Sequence, residues 1–239
     1  MKKIILAVSV VSALWSANDF TNSIGMKFIE IPTGSFMMGQ DPNFEDGDSD
    51  ELPRHKVDVE SFYIQTTEVT QSQWVSIMGN NPSKFKGRTN PVEQVSWYDA
   101  KSFVKKLNQK EKTDKYRLCT EEEWEYAARA GSSTKYFFGD DELKLGEYAW
   151  YYKNSKDKTH PVAKKKPNKW GLYDILGNVS ELTSSCYTKS YDKGCFKNYK
   201  VSRGANWYHD ADNLRSSFRM AGKPDTRSYL DGFRLCKTK

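Results

Sequence analysis

Cysteine, histidine and carboxylate side chains are the groups here that could hold a metal or act as nucleophiles, and their spacing decides which of these roles is open. Cys119, Cys186, Cys195 and Cys236 form no CxxC pair and no Cys/His cluster, and His55, His160 and His209 lie far apart. A metal site built from soft ligands is therefore not expected. Four cysteines allow three full pairings, and Cys186 and Cys195, flanking a short Tyr/Lys/Gly loop, make the natural local bridge. The acidic run Asp41–Glu51 carries some of the alternating oxygens of a calcium loop, but its glycine stands one place late for an EF-hand. It reads as a solvated loop.

The other chemistry-bearing stretch runs from Arg203 to Cys236, where Arg, Tyr, Asp and Ser alternate with a few apolar residues in no amphipathic period. Tyr, Ser, Asn and Asp on a rigid frame are the composition of antibody-like paratopes: tyrosine supplies contact area at low entropic cost, and small polar groups supply adaptable hydrogen bonds. Trp207, Phe233 and Leu235 are expected to anchor this stretch in a core. Arg203, Arg215, Arg219, Arg227 and Arg234 are expected to fix its irregular backbone by pairing with carboxylates or carbonyls.

Such a stretch needs a scaffold. The 239 residues suffice for one core, and 37% hydrophobic with 14% aromatic residues points to a loop-rich fold packed on Trp, Tyr and Phe. The chain should be a single domain over residues 18–239. Before it, Met1-Lys2-Lys3, an apolar run to Val11 and small residues to Ala17 form a signal-peptide pattern over residues 1–17, which implies export to the periplasm or cell surface. The apolar run is too short to span a bilayer. The formal charge of +6 comes from scattered lysines; Lys164–Lys166 reads as a solvated loop, so no nucleic-acid partner is expected. Met26–Gly39 reads as a hairpin and His55–Ile64 as a strand. Thr70/Gln73, Ser96/Asp99 and Thr120/Glu123 open helices as capping boxes, the second an acidic variant. Ala100, Phe103, Val104 and Leu107 in the second helix, and Trp124, Ala127 and Ala128 in the third, recur at helical spacing and should face the core. Beyond Gly131 periodicity fades, and pieces such as YFFG and EYAWYY suggest short strands in long connections. The fold class is α+β.

The stretches GMKFIEIPTGSFMMG, FYIQTTEVTQSQW, NPVEQVSWYDA, YRLCTEEEWEYAARAG, KWGLYDILGNVSE and RGANW…DGFRL, in this order, resemble the formylglycine-generating enzyme (sulfatase-modifying factor) family over Gly25 to Leu235. The resemblance implies a C-type-lectin-like fold, a small twisted antiparallel sheet with flanking helices and much irregular structure. Catalytic members oxidise a substrate cysteine with copper held by two cysteines; here His209 and Leu214 stand near those positions, and no cysteine occurs between Arg203 and Leu235. Where the family binds calcium, this chain keeps Gly177, Asn178, Val179 and Glu181, which makes a structural calcium the one cofactor expected.

The closing segment is similar to the non-catalytic branch, and especially to variable proteins of diversity-generating retroelements, whose C-terminal block is rewritten at template adenines. On that resemblance the ligand-binding residues are Tyr208, His209, Asp210, Asp212, Asn213, Ser217, Phe218, Ser228, Tyr229, Leu230 and Asp231. The expected protein is an exported, monomeric, non-catalytic binder of a protein or carbohydrate ligand on another cell or host surface. A formylglycine-generating or related metal-dependent oxidase, and a structural subunit of an envelope or secretion machine, are the rival readings.

Overall fold

The computed structural model describes residues 19–41 and 47–239, so the expected signal segment lies outside the described residues. The strands are β1 (Phe20–Thr21), β2 (Lys27–Ile31), β3 (Gly34–Met38), β4 (His55–Val59), β5 (Phe62–Gln65), β6 (Tyr116–Leu118), β7 (Ser180–Cys186), β8 (Lys200–Arg203), β9 (Arg219–Gly222), β10 (Asp231–Gly232) and β11 (Leu235–Thr238). The helices are α1 (Gln71–Met78), α2 (Trp97–Glu111), α3 (Glu121–Arg129), α4 (Leu145–Tyr148) and α5 (Tyr152–Ser155).

All three capping boxes form. The Thr70, Ser96 and Thr120 hydroxyls accept the N–H of Gln73, Asp99 and Glu123 at 3.3, 3.1 and 3.2 Å. The side chains of those three residues accept the cap N–H in return at 3.0, 2.8 and 2.9 Å. Each reciprocal pair satisfies two donors that a helix start leaves open, and each cap contributes about 1 kcal/mol.

A five-stranded antiparallel sheet in the order β1-β2-β5-β11-β6 forms the centre. Strand side chains alternate between faces, so one face presents Phe28, Tyr116, Leu118 and Leu235 to a core shared with Trp74 of α1 and Phe103 and Leu107 of α2. The other face presents Ile29, Ile31, Phe62, Ile64 and Cys236 to a core shared with Trp124 and Ala127 of α3. Cys119 and Cys236 are disulfide-bonded with Cα atoms 4.9 Å apart, and Cys186 pairs with Cys195 as the local spacing indicates. A second sheet, β10-β7-β8-β9, carries the C-terminal segment, with β10 parallel to β7.

Several expectations fail for one reason: long-range pairing overrides local pattern. Met26–Gly39 is not a hairpin. After Pro32 the chain leaves the central sheet, so β2 pairs with β5 while β3 pairs with β4 in a separate ribbon. His55–Ile64 is two strands in two sheets, split at Glu60 and Ser61. EYAWYY bridges the single-turn helices α4 and α5, with residues 149–151 between them, and YFFG closes on itself in one bridge between Tyr136 and Gly139. Residues 42–46 of the acidic run lie outside the described residues, and Glu51 at its end is not solvated but wholly buried against Arg215. Lys165 of the basic run is half-buried, with its ammonium 4.0 Å over the Trp150 ring.

Candidate functional site

The segment after β8 is held from beneath by arginines. Arg203 is fully buried and donates to the Ser217 and Ser216 carbonyls at 2.7 and 2.8 Å, while Glu121 and Glu125 of α3 pair with the same guanidinium. Arg219 takes both Glu121 oxygens at 2.6 and 2.9 Å and reaches the Thr188 carbonyl at 3.1 Å. Arg215 pairs with Glu51 and donates to the Asp212 carbonyl. Arg234 forks onto Glu181 with both bonds at 2.6 Å, and Arg227 pairs with Asp99 at the surface. The planar fork explains the choice of arginine: one side chain reaches a carboxylate and two carbonyls together. Burial pushes the Glu125 carboxyl up, but Arg129 and Arg203 outweigh it and hold the group below the usual carboxylate range. Burial dominates at Glu121, which stays raised despite Arg203 and Arg219.

Above this frame the chain turns sharply. Gly204 adopts φ +87°, and a Cβ there would lie 2.8 Å from the Ile175 carbonyl oxygen, so only glycine fits. Asn206 then accepts the Tyr208 N–H at 3.1 Å, and Trp207 donates its indole N–H to the Tyr229 carbonyl at 3.3 Å. The result is an aromatic ledge. Trp207, buried as expected, contacts Tyr208 at 5.5 Å, Tyr229 at 6.0 Å and Phe85 at 5.6 Å between ring centres. Tyr152 of α5 meets Tyr208 edge-on at 6.1 Å. Tyr208 and Tyr152 are more than half exposed, and Lys84 lies 4.1 Å over the Tyr229 ring.

The sequence-derived binding residues divide accordingly. Tyr208, Asp210, Asp212 and Tyr229 are exposed, and His209, Asn213, Ser228, Leu230 and Asp231 are partly so. Ser217 and Phe218 are not displayed. Both are buried: Arg203 draws the Ser217 carbonyl inward, and Phe218 packs in the core beneath the Arg215 guanidinium, 5.7 Å from the His209 ring. Burial lowers the His209 imidazole from its ordinary value and raises the Asp231 carboxyl to about 7. Asp210, Asp212 and Asn213 lie on or beside the short helical turn Ala211–Leu214, with Asp212 paired to Lys135 at 3.3 Å.

The calcium stretch is organised around protein partners. Asn178 is fully buried, accepts the His160 N–H at 2.9 Å and donates to Glu68 at 3.0 Å. Both Glu181 oxygens are engaged, by Arg234 and by the Trp124 indole at 2.7 Å. The Asn178 and Glu181 side-chain oxygens already accept from protein donors, and Arg234 already neutralises Glu181, so these two side chains do not fit a bound cation in this arrangement.

Residues 17–239 match the sulfatase-modifying factor enzyme 1-like domain. The chain belongs to that family. It is 31% identical to the chaperone protein LppX of Paenibacillus barcinonensis, over 77% of this chain and 82% of that protein. It is 32% identical to the inactive C-alpha-formylglycine-generating enzyme 2 of Bos taurus, over 80% of this chain and 64% of that one. Among solved structures, Treponema denticola variable protein 1 superposes with a TM-score of 0.84 at 30% identity, covering 94% of this chain and 100% of that one. The fold is the C-type-lectin-like α+β fold of this family, and the resemblance to retroelement variable proteins extends to the whole domain.

His209 is half-buried with Nδ1 unpartnered, and Leu214 is fully buried in the core. All four cysteines are in disulfides. Three surface residues of the ledge escape sequence reasoning: Lys84, Phe85 and Tyr152. The only local signal was the alternation of lysine and phenylalanine between Pro82 and Gly87, and nothing local ties it to Tyr229.

Proposed function

We propose that this family member is an exported, non-catalytic ligand-binding protein whose C-terminal segment displays a variable recognition surface, as retroelement variable proteins do. One observation carries the reading: exposed Tyr208 and Tyr229 stand on a frame whose contacts are made by other residues. Arg203, Arg219 and Arg234 hold the backbone through carbonyls and buried carboxylates, and Trp207 anchors it, so the exposed side chains are free to change. Exposed tyrosine on rigid backbone is the physical form of a paratope. Arg234 supplies positive charge to Glu181, and the reading needs no calcium there. With every thiol in a disulfide, no thiolate pair remains for Cu(I), which soft ligands hold. Two disulfides also accord with an oxidising compartment.

The test is genetic and biochemical. A near-copy of the coding stretch for residues 203–235, differing where the copy has adenine and lying beside a reverse-transcriptase gene, is expected, and its absence overturns the retroelement reading. Copper titration is expected to find no tight site. Tight copper with turnover of a thiol peptide would restore the oxidase.

A further inference from the structure

Beside the aromatic ledge lies a cavity of about 720 Å³ whose wall gathers Lys84, Lys86, Lys156 and Lys158. In sequence these lysines come from two loops some seventy residues apart, and all four are exposed. Lys86 is tethered to the Asn81 carbonyl at 2.9 Å. The only acidic group interleaved with them in sequence is exposed Asp157; Glu93 lies buried behind the wall, accepting the Phe85 N–H at 2.7 Å. The cavity and the ledge are continuous, because Phe85 lines the first and meets Trp207 and Tyr229 edge-on, while Lys84 covers the Tyr229 ring.

We propose that this lysine-lined cavity is a fixed anchoring subsite of the display face and takes an acidic peptide segment of a partner protein. The inference rests on the ligand-binding reading above and adds the ligand's chemistry. Ammonium groups on flexible stems act as point charges that attract anions without fixing one geometry, and no arginine fork lines the cavity. The wall also has little with which to orient a sugar. The Asn154 amide is spent on the Tyr151 N–H and the Ala149 carbonyl, and the Asn90 amide donates to Thr159. Directional groups of that kind fix a small ligand's orientation. What remains is positive charge beside tyrosines, which suits carboxylates on a polypeptide whose neighbouring residues rest on the ledge.

The probe is a fluorescein-labelled hexaglutamate peptide, with hexaglutamine and a heparin hexasaccharide as comparisons, read by fluorescence anisotropy on the full domain. Hexaglutamate is expected to bind at least about tenfold tighter than hexaglutamine and to weaken as NaCl rises from about 50 to about 300 mM. Lys84→Gln/Lys156→Gln/Lys158→Gln, all at exposed positions, is expected to lose about tenfold or more in affinity with melting temperature unchanged. Lys105→Gln/Lys106→Gln/Lys110→Gln, on the exposed face of α2, is expected to bind as the parent does. Equal loss in both triple variants, or no preference over hexaglutamine, overturns the proposal. Heparin binding that depends on the cavity lysines, without peptide binding, overturns the peptide assignment. Failure here with a template repeat present in the genome would sink the subsite and leave the display function standing. Peptide capture without a repeat would do the reverse.

Discussion

Replacing Arg203 with methionine tests whether arginines, rather than local propensity, hold the segment that follows β8. The guanidinium is fully buried between α3 and the Ser216 and Ser217 carbonyls. Its loss does not orphan a charge, because Glu125 keeps Arg129 at 2.8 Å and Glu121 keeps Arg219 at 2.6 Å. The cost is at least two unsatisfied buried carbonyls at about 1–3 kcal/mol each, or about 4 kcal/mol together, with Glu125 Oε2 also losing its bond to Arg203. For a domain of this size that corresponds to a fall in melting temperature of about 8–16 °C. Arg203→Lys keeps the charge without the fork and should fall between methionine and the parent. Differential scanning calorimetry gives the stability, and hydrogen exchange gives the location, with protection lost at the Ser216 and Phe218 amides, which bond to Lys135 and Arg215. A fall of less than about 3 °C, or exchange no faster in residues 215–219 than elsewhere, would refute the reasoning.

Asp231 gives a pH test. Its folded carboxyl is raised by burial to about 7, above its unfolded value, so the native state holds the proton and stability falls as pH climbs from about 4 to about 7. Asp231→Asn should remove that fall and stabilise the protein above neutrality by at most about 4 kcal/mol, with little change at about pH 4, as urea titrations at both pH values would report. Calcium and EGTA should leave the melting temperature within about 1 °C, since a tight site would shift it by several degrees through mass action. Removing the Cys119–Cys236 bridge, which closes a separation of 117 residues, should cost about 5 kcal/mol, against about 2.5 kcal/mol for Cys186–Cys195 with its separation of 9. Urea midpoints of the two double-serine variants in the opposite order would contradict this.

Helix starts were legible because a cap is local: Thr70, Ser96 and Thr120 meet their partners three residues on. The anchoring arginines and Trp207 could be read because buried guanidinium needs carboxylates and a large indole needs a core. Sheet partners were not legible. β2 and β3 look like two arms of one hairpin, and only long-range pairing with β5 and β4 separates them. Ser217 and Phe218 sit in a segment without period, so nothing in the sequence says that Arg203 and Arg215 draw them inward. The lysines of the cavity come from two loops some seventy residues apart and form one cluster only after folding.

The order of strands in the central sheet has a consequence for quality control. β11, which follows the display segment, is not an edge strand but lies between β5 and β6, and Cys236 within it closes the long disulfide. A polypeptide that stops or changes frame anywhere between Trp207 and Asp231 lacks the middle of its main sheet. Such a product has no folded scaffold on which to present a damaged surface and is left to proteases. Only chains read in frame through residues 207–231 can complete the sheet, so folding itself checks the reading frame of the stretch that carries exposed Tyr208 and Tyr229.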